Sequence, residues 1–481
     1  MRRILLLLLL LITACSLPAA QTPIALPSNT STPTLPATET PTPTATPIPI
    51  PAREKYTINT FLDYDLHFID VDQTIVYPNH TGQQLASLTL AVAPNFWPNC
   101  FYVMEIKVDG VPVTNYTLNL NRLDIPLPAA LMPDSVSTVT LRYSIFLPYM
   151  DQVNSQRARI FGYSEIQMNL VNWYPFIAPF QNGDWVIREP WSHGEYLVYP
   201  IADFEVNIKF ADPQTAPIIA ASGFAEPNGE FTRYTLTAGR AFAISASRDF
   251  QVSTTKIGET TVYSYYFPIY KNAGDAVMLA SSQAIQVYSQ MFGPYPHKTL
   301  SIVIADFQDS MEFSALYFHS RSFYNLYEGT PQSYLIAVGA HETGHQWWFE
   351  QVANDQAQEP WLDESLTTYS EAIYYESAHP EALGWWWMNR IDFFEPFGQI
   401  EIPVYEGQDA ETYKHIVYFN GAHFMRDLRG RIGDEAFFAF LQDYYNQGRE
   451  KIVSGDDFFR ILDSHTDADY SDLLQKYFKN R

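Results

Sequence analysis

Residues 338–352 read VGAHETGHQWWFEQV, and this stretch limits the possible folds more than any other in the chain. His341 and His345 are four apart, the spacing that puts two side chains on one face of a helix. Their neighbours are mostly apolar or aromatic, so a helix built from them has to be buried, and buried polar groups need partners. The surrounding fold must therefore satisfy two imidazoles and Glu342 away from water. One divalent ion can do this, because two imidazole nitrogens converge on zinc at about 2.0–2.1 Å. Glu342, next to the first histidine, is then free to accept a proton from water instead of binding metal. The competing explanation is a pair of core histidines satisfied by ordinary polar neighbours.

The rest of the chain frames that choice. Its 481 residues allow two or three domains, and a hydrophobic content of 47% is that of a globular protein. A formal charge of −24 argues against a nucleic-acid partner, which needs a basic face to neutralise phosphates. Arg2 and Arg3 precede an apolar run, Ile4 to Ile12, that is too short to span a bilayer. The run meets Ile12-Thr13-Ala14-Cys15, which resembles a bacterial lipobox. Residues 1–15 are thus expected to be a lipoprotein signal peptide, with Cys15 lipid-modified, anchored to a bacterial membrane and the protein exported. Residues 16–53 are dominated by Pro, Thr, Ala and Ser and read as an extended linker. At ~3.1 Å per residue it could reach on the order of 100 Å. With Cys15 acylated, Cys100 has no partner in the chain, so no disulfide framework is expected.

Residues 54–255 carry the period-2 pattern of β-strands. VTLRYSI sets Val139, Leu141, Tyr143 and Ile145 on one face, and FEVNIKF does the same with Phe204, Val206, Ile208 and Phe210. Asp109-Gly110 between apolar runs predicts a hairpin turn. After about residue 256 the pattern changes. GDAVMLASSQAIQVYSQMFG predicts a helix closed at Gly293, LSIVIADF a buried strand, and SALYFHSRSFY another strand. Beyond Pro331 the periodicity is mainly helical. The expected fold class is α+β: an N-terminal antiparallel β-sandwich-like domain, 54–255, then a mainly helical domain, 256–481.

A third ligand separates the two explanations of the histidines. A glycine three residues past the second histidine, followed by a third histidine, would complete one zinc pattern, but Trp348 and Gln351 stand there. EPWLDESLTTYSEAIYY instead predicts an amphipathic helix, and 18 residues separate His345 from its Glu364. That spacer leaves room for a loop and a returning helix. Glu371, seven residues on, lies two turns along the same face and is a candidate acceptor for a ligand histidine's N–H. A plain surface acid is the alternative for it.

His-Glu-x-x-His, 18 residues, then Glu inside WLDES resembles the gluzincin pattern of the aminopeptidase N and leukotriene hydrolase family of zinc metallopeptidases. FGPYPHKTLSIVIADF (292–307), DSMEFSAL (309–316) and VYFNGAHFMRDLRGRIGDEAFF (417–438) resemble further family segments in the same order. NWYPFIAPF and ADFEVNI extend the similarity to about residues 55–481. The resemblance implies a thermolysin-like catalytic domain and one zinc ion held by His341, His345 and Glu364. It also implies Glu342 as general base to a zinc-activated water, Tyr418 as donor to the oxyanion, and Glu312 as anchor for the substrate's free amine. Tyr413 is the rival tyrosine; the Asn420-Gly421 pair after Tyr418 favours the latter. In DSMEF the family's glycine and asparagine are replaced by Asp309 and Phe313, while Met311-Glu312 is kept. Family members commonly carry a large helical domain after the catalytic one, whereas this sequence stops at Arg481, so a more open cleft is expected.

The expected activity is therefore that of a zinc aminopeptidase acting on peptides or proteins outside the cytoplasm. Two alternatives stand: a zinc endopeptidase without amine recognition, and an inactive surface binding module on the same fold. Oligomeric state is not encoded in any of these features. No Gly-x-Ser-x-Gly elbow and no Gly-Lys phosphate loop occurs, so neither a serine hydrolase nor a nucleotide enzyme has motif support.

Overall fold

VTLRYSI lies in the strand Val136–Phe146, where Val139, Leu141, Tyr143 and Ile145 are all buried. FEVNIKF lies in Ala202–Phe210, burying Phe204, Val206 and Ile208. Both belong to one eight-stranded sheet in a computed structural model that describes residues 53–150, 160–307, 309–406, 409–479 and 481. The expected signal peptide 1–15, with Cys15, lies outside the described residues, as does all but the last residue of the expected linker. That last residue, Arg53, is tied into the fold: its guanidinium donates to Glu450 at 2.8 and 2.9 Å and to Asp203 at 3.3 Å.

The sheet runs in the order Phe224–Asn228, Phe231–Gly239, Ala202–Phe210, Glu54–Asp63, Phe68–Pro78, Val136–Phe146, Phe101–Val108, Val111–Pro112. Neighbours are antiparallel except Glu54–Asp63 and Ala202–Phe210, which run parallel with Ile58 opposite Val206. A parallel pair needs a long crossover, and the residues between these two strands build other sheets on the way back. At the Asp109-Gly110 turn, φ values of 50° and 80° supply the two left-handed positions of a tight hairpin. Leu88, Leu90, Ile125 and Ile244, from two four-stranded sheets, pack into the same core as Ile58. Cys100 is a free, buried thiol pushed up to about 12 by burial, and so is inert packing.

A five-stranded sheet follows, in the order Gln251–Ile257, Thr260–Tyr266, Thr299–Ala305, Leu316–Ser320, Met311–Phe313. Its first strand runs across the boundary expected between 255 and 256. Its Val262, Leu300, Ile302 and Leu316 share one continuous core with Ile58 and Leu88, and the described residues belong to one compact unit. SALYFHSRSFY is only partly a strand: Ser320 accepts a hydrogen bond from the Ser322 N–H at 3.3 Å and starts the short helix Arg321–Asn325. This places Met311–Phe313, with Glu312, on the sheet's outer edge.

Beyond the sheet the chain is helical. The helix Lys271–Met291 packs against two others, Tyr334–Gly344 and Trp361–Ala378, called below the histidine helix and the glutamate helix. A second core, with Trp347, Trp361, Trp386, Phe424 and Phe458, surrounds them. Leu335–Gly344 and Trp361–Tyr375 are buried without a break, so neither helix keeps a solvent face over those residues.

Candidate metal centre and substrate cleft

The histidine helix ends at Gly344, and His345 caps it in a helical conformation, its N–H bonded to the His341 carbonyl at 3.2 Å. Both imidazoles therefore stay on one face. Their Nε2 atoms lie 3.2 Å apart. Glu364, in the first turn of the glutamate helix, brings Oε2 to 3.3 Å from His341 Nε2 and 3.5 Å from His345 Nε2. All three side chains are buried and form a candidate metal-binding group.

Hydrogen bonding fixes what these atoms offer. His341 Nδ1 lies 3.0 Å from Glu371 Oε1, and His345 Nδ1 lies 3.2 Å from the Trp348 carbonyl. Those partners only accept, so each Nδ1 carries the proton and each Nε2 presents a lone pair. Two lone pairs and a carboxylate oxygen that has no hydrogen-bond donor among the described residues then face one point. Without a cation there, that arrangement is repulsive. A point about 2 Å from all three atoms fits the triangle, which is the length of a Zn–N or Zn–O bond. The residues present thus fit a zinc ion.

Glu371 accepts from more than His341. Arg390 donates through Nη2 to Oε1 at 2.8 Å and through Nε to Oε2 at 3.0 Å, and Trp386 Nε1 donates to Oε2 at 2.7 Å. Burial opposes the Glu371 charge, but Arg390 and His341 outweigh it and hold the carboxyl below its ordinary range. Glu364 behaves alike: burial opposes its charge, and His345 with His341 holds it well below the usual carboxylate range. Glu342 goes the other way. Burial, reinforced by Glu312 and Glu364, pushes its carboxyl well up, and its Oε2 has no hydrogen-bond partner among the described residues.

Tyr418 sits in the π-turn His415–Asn420, between the helices Ala410–Lys414 and Gly421–Ile432. A Cβ at Gly421 would lie 2.0 Å from Ser365 Oγ, so only glycine lets this turn press against the glutamate helix. Ser365 Oγ donates to the Val417 carbonyl at 2.8 Å, and Tyr418 Oη reaches Glu364 Oε1 at 2.5 Å. Tyr413 is also buried, but its hydroxyl lies beside Gly194 and has no hydrogen-bond partner among the described residues. A cleft of about 260 Å³ joins these groups: His341, Glu342, His345, Glu364, Tyr413 and Tyr418 line it together with Glu312.

Three contributors have no role assigned from the sequence. Asp363, beside Glu364, is pushed up to about 8 by burial and accepts from Gln356 and Asn354, each at 2.8 Å. Gln356 also donates to Glu312 at 3.2 Å, linking the two acids. Glu195, from an irregular segment before the strand Ala202–Phe210, lines the cleft as well. The WLDES acid pair is a visible signal for Asp363; nothing local marks Gln356 or Glu195.

Comparison with known proteins agrees with this geometry. Residues 278–477 match the peptidase family M1 domain. Aminopeptidase M1-D of Oryza sativa subsp. japonica is 24% identical over 227 residues, 44% of this chain and 26% of the relative. Endoplasmic reticulum aminopeptidase 1 of Homo sapiens is 25% identical over 269 residues, 52% of this chain and 28% of the relative. The chain thus matches only about a quarter of the length of these curated relatives. Among solved structures, a mutant M1 zinc metallopeptidase from Deinococcus radiodurans superposes with a TM-score of 0.64 at 18% identity. That match covers 89% of this chain and 94% of the other. The helical part of the chain thus matches the peptidase family M1 domain, its fold resembles that of M1 zinc metallopeptidases, and its His341, His345 and Glu364 group fits one zinc ion.

Proposed function

We propose that the protein is a zinc aminopeptidase that releases N-terminal residues from peptides. The observation that carries this reading is Glu312, a buried carboxylate on the sheet edge that lines the same cleft as His341, His345 and Glu364. A free α-ammonium group at Glu312 holds the first peptide bond beside the triad, and the attraction is strong because water is largely excluded. When bound, zinc supplies Lewis-acid polarisation of the scissile carbonyl and makes water a usable nucleophile near neutral pH.

The chain's own residues supply the remaining steps. Glu342, whose Oε2 is unpartnered and whose proton affinity is raised by burial, takes the proton of the attacking water and returns it to the leaving amine. Tyr418, held beside Glu364, donates its phenol proton to the developing oxyanion. Glu371 and the Trp348 carbonyl keep both histidines in the tautomer that presents Nε2. The D. radiodurans structural relative has been solved with a Tyr-Ser-Ala substrate, which supports a peptide as the ligand class.

Two measurements test the proposal. Glu342→Gln is expected to lower kcat by about 10²–10⁴ while zinc content is unchanged; unimpaired turnover removes Glu342 as the base. A free peptide is expected to be cleaved and its N-acetylated form spared; equal cleavage of both makes the enzyme an endopeptidase. We further propose that Cys15 carries a lipid anchor and that the catalytic part acts outside the cytoplasm, supported by the charged, apolar and Ile-Thr-Ala-Cys sequence of residues 1–15. Cys15→Ser should move the protein out of the membrane fraction, and unchanged fractionation would refute the anchor.

A further inference from the structure

A second cavity of about 370 Å³ opens beside the cleft, and Glu312 lines both. A glutamate side chain turns about several bonds, so open volume around it lets the carboxylate point away from the triad unless something holds it. The backbone is held already. Gln346, next to His345, donates to the Phe313 carbonyl at 3.0 Å and accepts from the Ala315 N–H at 2.8 Å. Those bonds fix the strand Met311–Phe313 but not the end of the Glu312 side chain. Among the described residues, the side chain that donates to that carboxylate is Gln356, at 3.2 Å. Resting on the aminopeptidase reading, we infer that Gln356 is a positioning residue, which pins Glu312 at one distance from the triad and so sets how firmly the cleft grips a substrate's free amine.

The pin is itself anchored. A carboxamide has two N–H groups, and Gln356 gives one to Glu312 and the other to Asp363 Oδ2, at 2.8 Å. Asp363 Oδ1 accepts from Asn354 at 2.8 Å, and Asn354 also donates to the Glu359 carbonyl at 2.9 Å. Glu312, Asn354, Gln356 and Asp363 are all buried, so water competes little for these bonds. Asp363 and Glu364 are consecutive residues in the first turn of the glutamate helix. The turn that presents the third metal ligand therefore also sets the amine anchor, through one carboxamide. Carboxylate oxygens of Glu312 and Asp363 lie within 4.8 Å of each other. Two acids at that range repel, and the N–H groups that Gln356 gives to both offset the repulsion.

Gln356 lines the second cavity and is not among the described residues that line the cleft. It acts on a peptide through Glu312, so its loss should weaken amine binding and leave the metal in place. A merely structural residue would weaken every ligand of the cleft alike.

The test compares two metal-directed probes, leucine hydroxamate and its des-amino analogue. Their dissociation constants from the zinc-loaded full chain are read by calorimetry. Only the first carries an amine, so the ratio of the two constants reports the grip of Glu312 alone. In the wild-type protein the amine is expected to tighten binding at least about tenfold. Gln356→Met and Gln356→Leu approximate the side chain's volume and remove both donors. Each should lower the ratio about tenfold, with the des-amino constant and the zinc content unchanged. Either variant alone suffices should the other fail to fold. In a Glu312→Gln background, Gln356→Met should change the ratio no further. A wild-type ratio in the variants, or an equal loss for both probes, overturns the inference, as does a further fall in the Glu312→Gln background. Failure of the underlying reading looks different: the wild-type protein would itself bind both probes equally and cut N-acetylated peptides as fast as free ones.

Discussion

The eight-stranded sheet and the two helices that carry the metal triad use burial in opposite ways. The strand Glu54–Asp63 buries Tyr56, Ile58 and Leu62 while Lys55, Asn59 and Phe61 face water. The polar Gln73 buried in the next strand is satisfied on both ends, donating to the Pro175 carbonyl at 2.6 Å and accepting from Tyr143 at 2.7 Å. The histidine and glutamate helices instead bury His341, Glu342, Asp363, Glu364 and Glu371 with no exposed face beside them. Apolar area stabilises the sheet. Ionisable groups in the helices have to be stabilised one by one, by Arg390, by Gln356 or by a metal ion.

The largest expected effect that sharpens this contrast is Glu371→Gln. It leaves Arg390 buried without a counter-charge and weakens the acceptor for His341, so stability should fall by about 3–5 kcal/mol. Zinc affinity, read by chelator competition, should fall about 10–100-fold. In the sheet, Ile58→Ala should cost about 2–4 kcal/mol in denaturant unfolding through lost apolar burial and a cavity. Its zinc affinity should stay at the wild-type value; a parallel loss of metal would break the division between the two regions.

The smallest expected effect comes from the sheet's own exception. Burial pushes Glu54 up to about 8 from an ordinary 4.5, partly offset by a hydrogen bond from Tyr56 at 2.7 Å. The native state therefore keeps a proton that the unfolded chain releases between those values. The associated stability is fully present below about pH 4.5 and is lost as pH rises through 8. Glu54→Gln removes this loss, so relative to wild type it should gain on the order of 1–3 kcal/mol between pH 5 and pH 9. Urea midpoints at the two pH values check this; an identical pH response in both proteins would exclude Glu54 as its source.

The amino-acid order encodes the fold legibly in some places and not in others. Alternation is local, so strands such as Val136–Phe146 and Ala202–Phe210 are readable from a few residues each. The break inside SALYFHSRSFY does not show in the alternation, because Ser320 favours the following turn and its side-chain cap competes with strand continuation. The parallel pairing of Glu54–Asp63 with Ala202–Phe210 joins segments more than a hundred residues apart, and no local pattern encodes it.

The site divides in the same way. His341, Glu342, His345 and Glu371 are set by helical spacing, which fixes side-chain direction from residue number alone. The 18-residue spacer singled out Glu364 but could not bring it near the histidines. The packing of the two helices did that, giving gaps of 3.3 and 3.5 Å. The Asn420-Gly421 pair pointed to Tyr418 over Tyr413, but the contact between Tyr418 and Glu364 is tertiary: Gly421 lets one turn close on Ser365 and carries the phenol there. Gln356, Glu195, Arg390 and the cavity beside Glu312 come from separate parts of the chain, and their chemistry exists only once those parts meet. Sequence by itself determined which residue types could bind a metal and on which helix face they stand. Tertiary structure decided which acid meets the two imidazoles, which tyrosine reaches it and which side chains line the cleft, because those depend on distances between segments that no single segment carries.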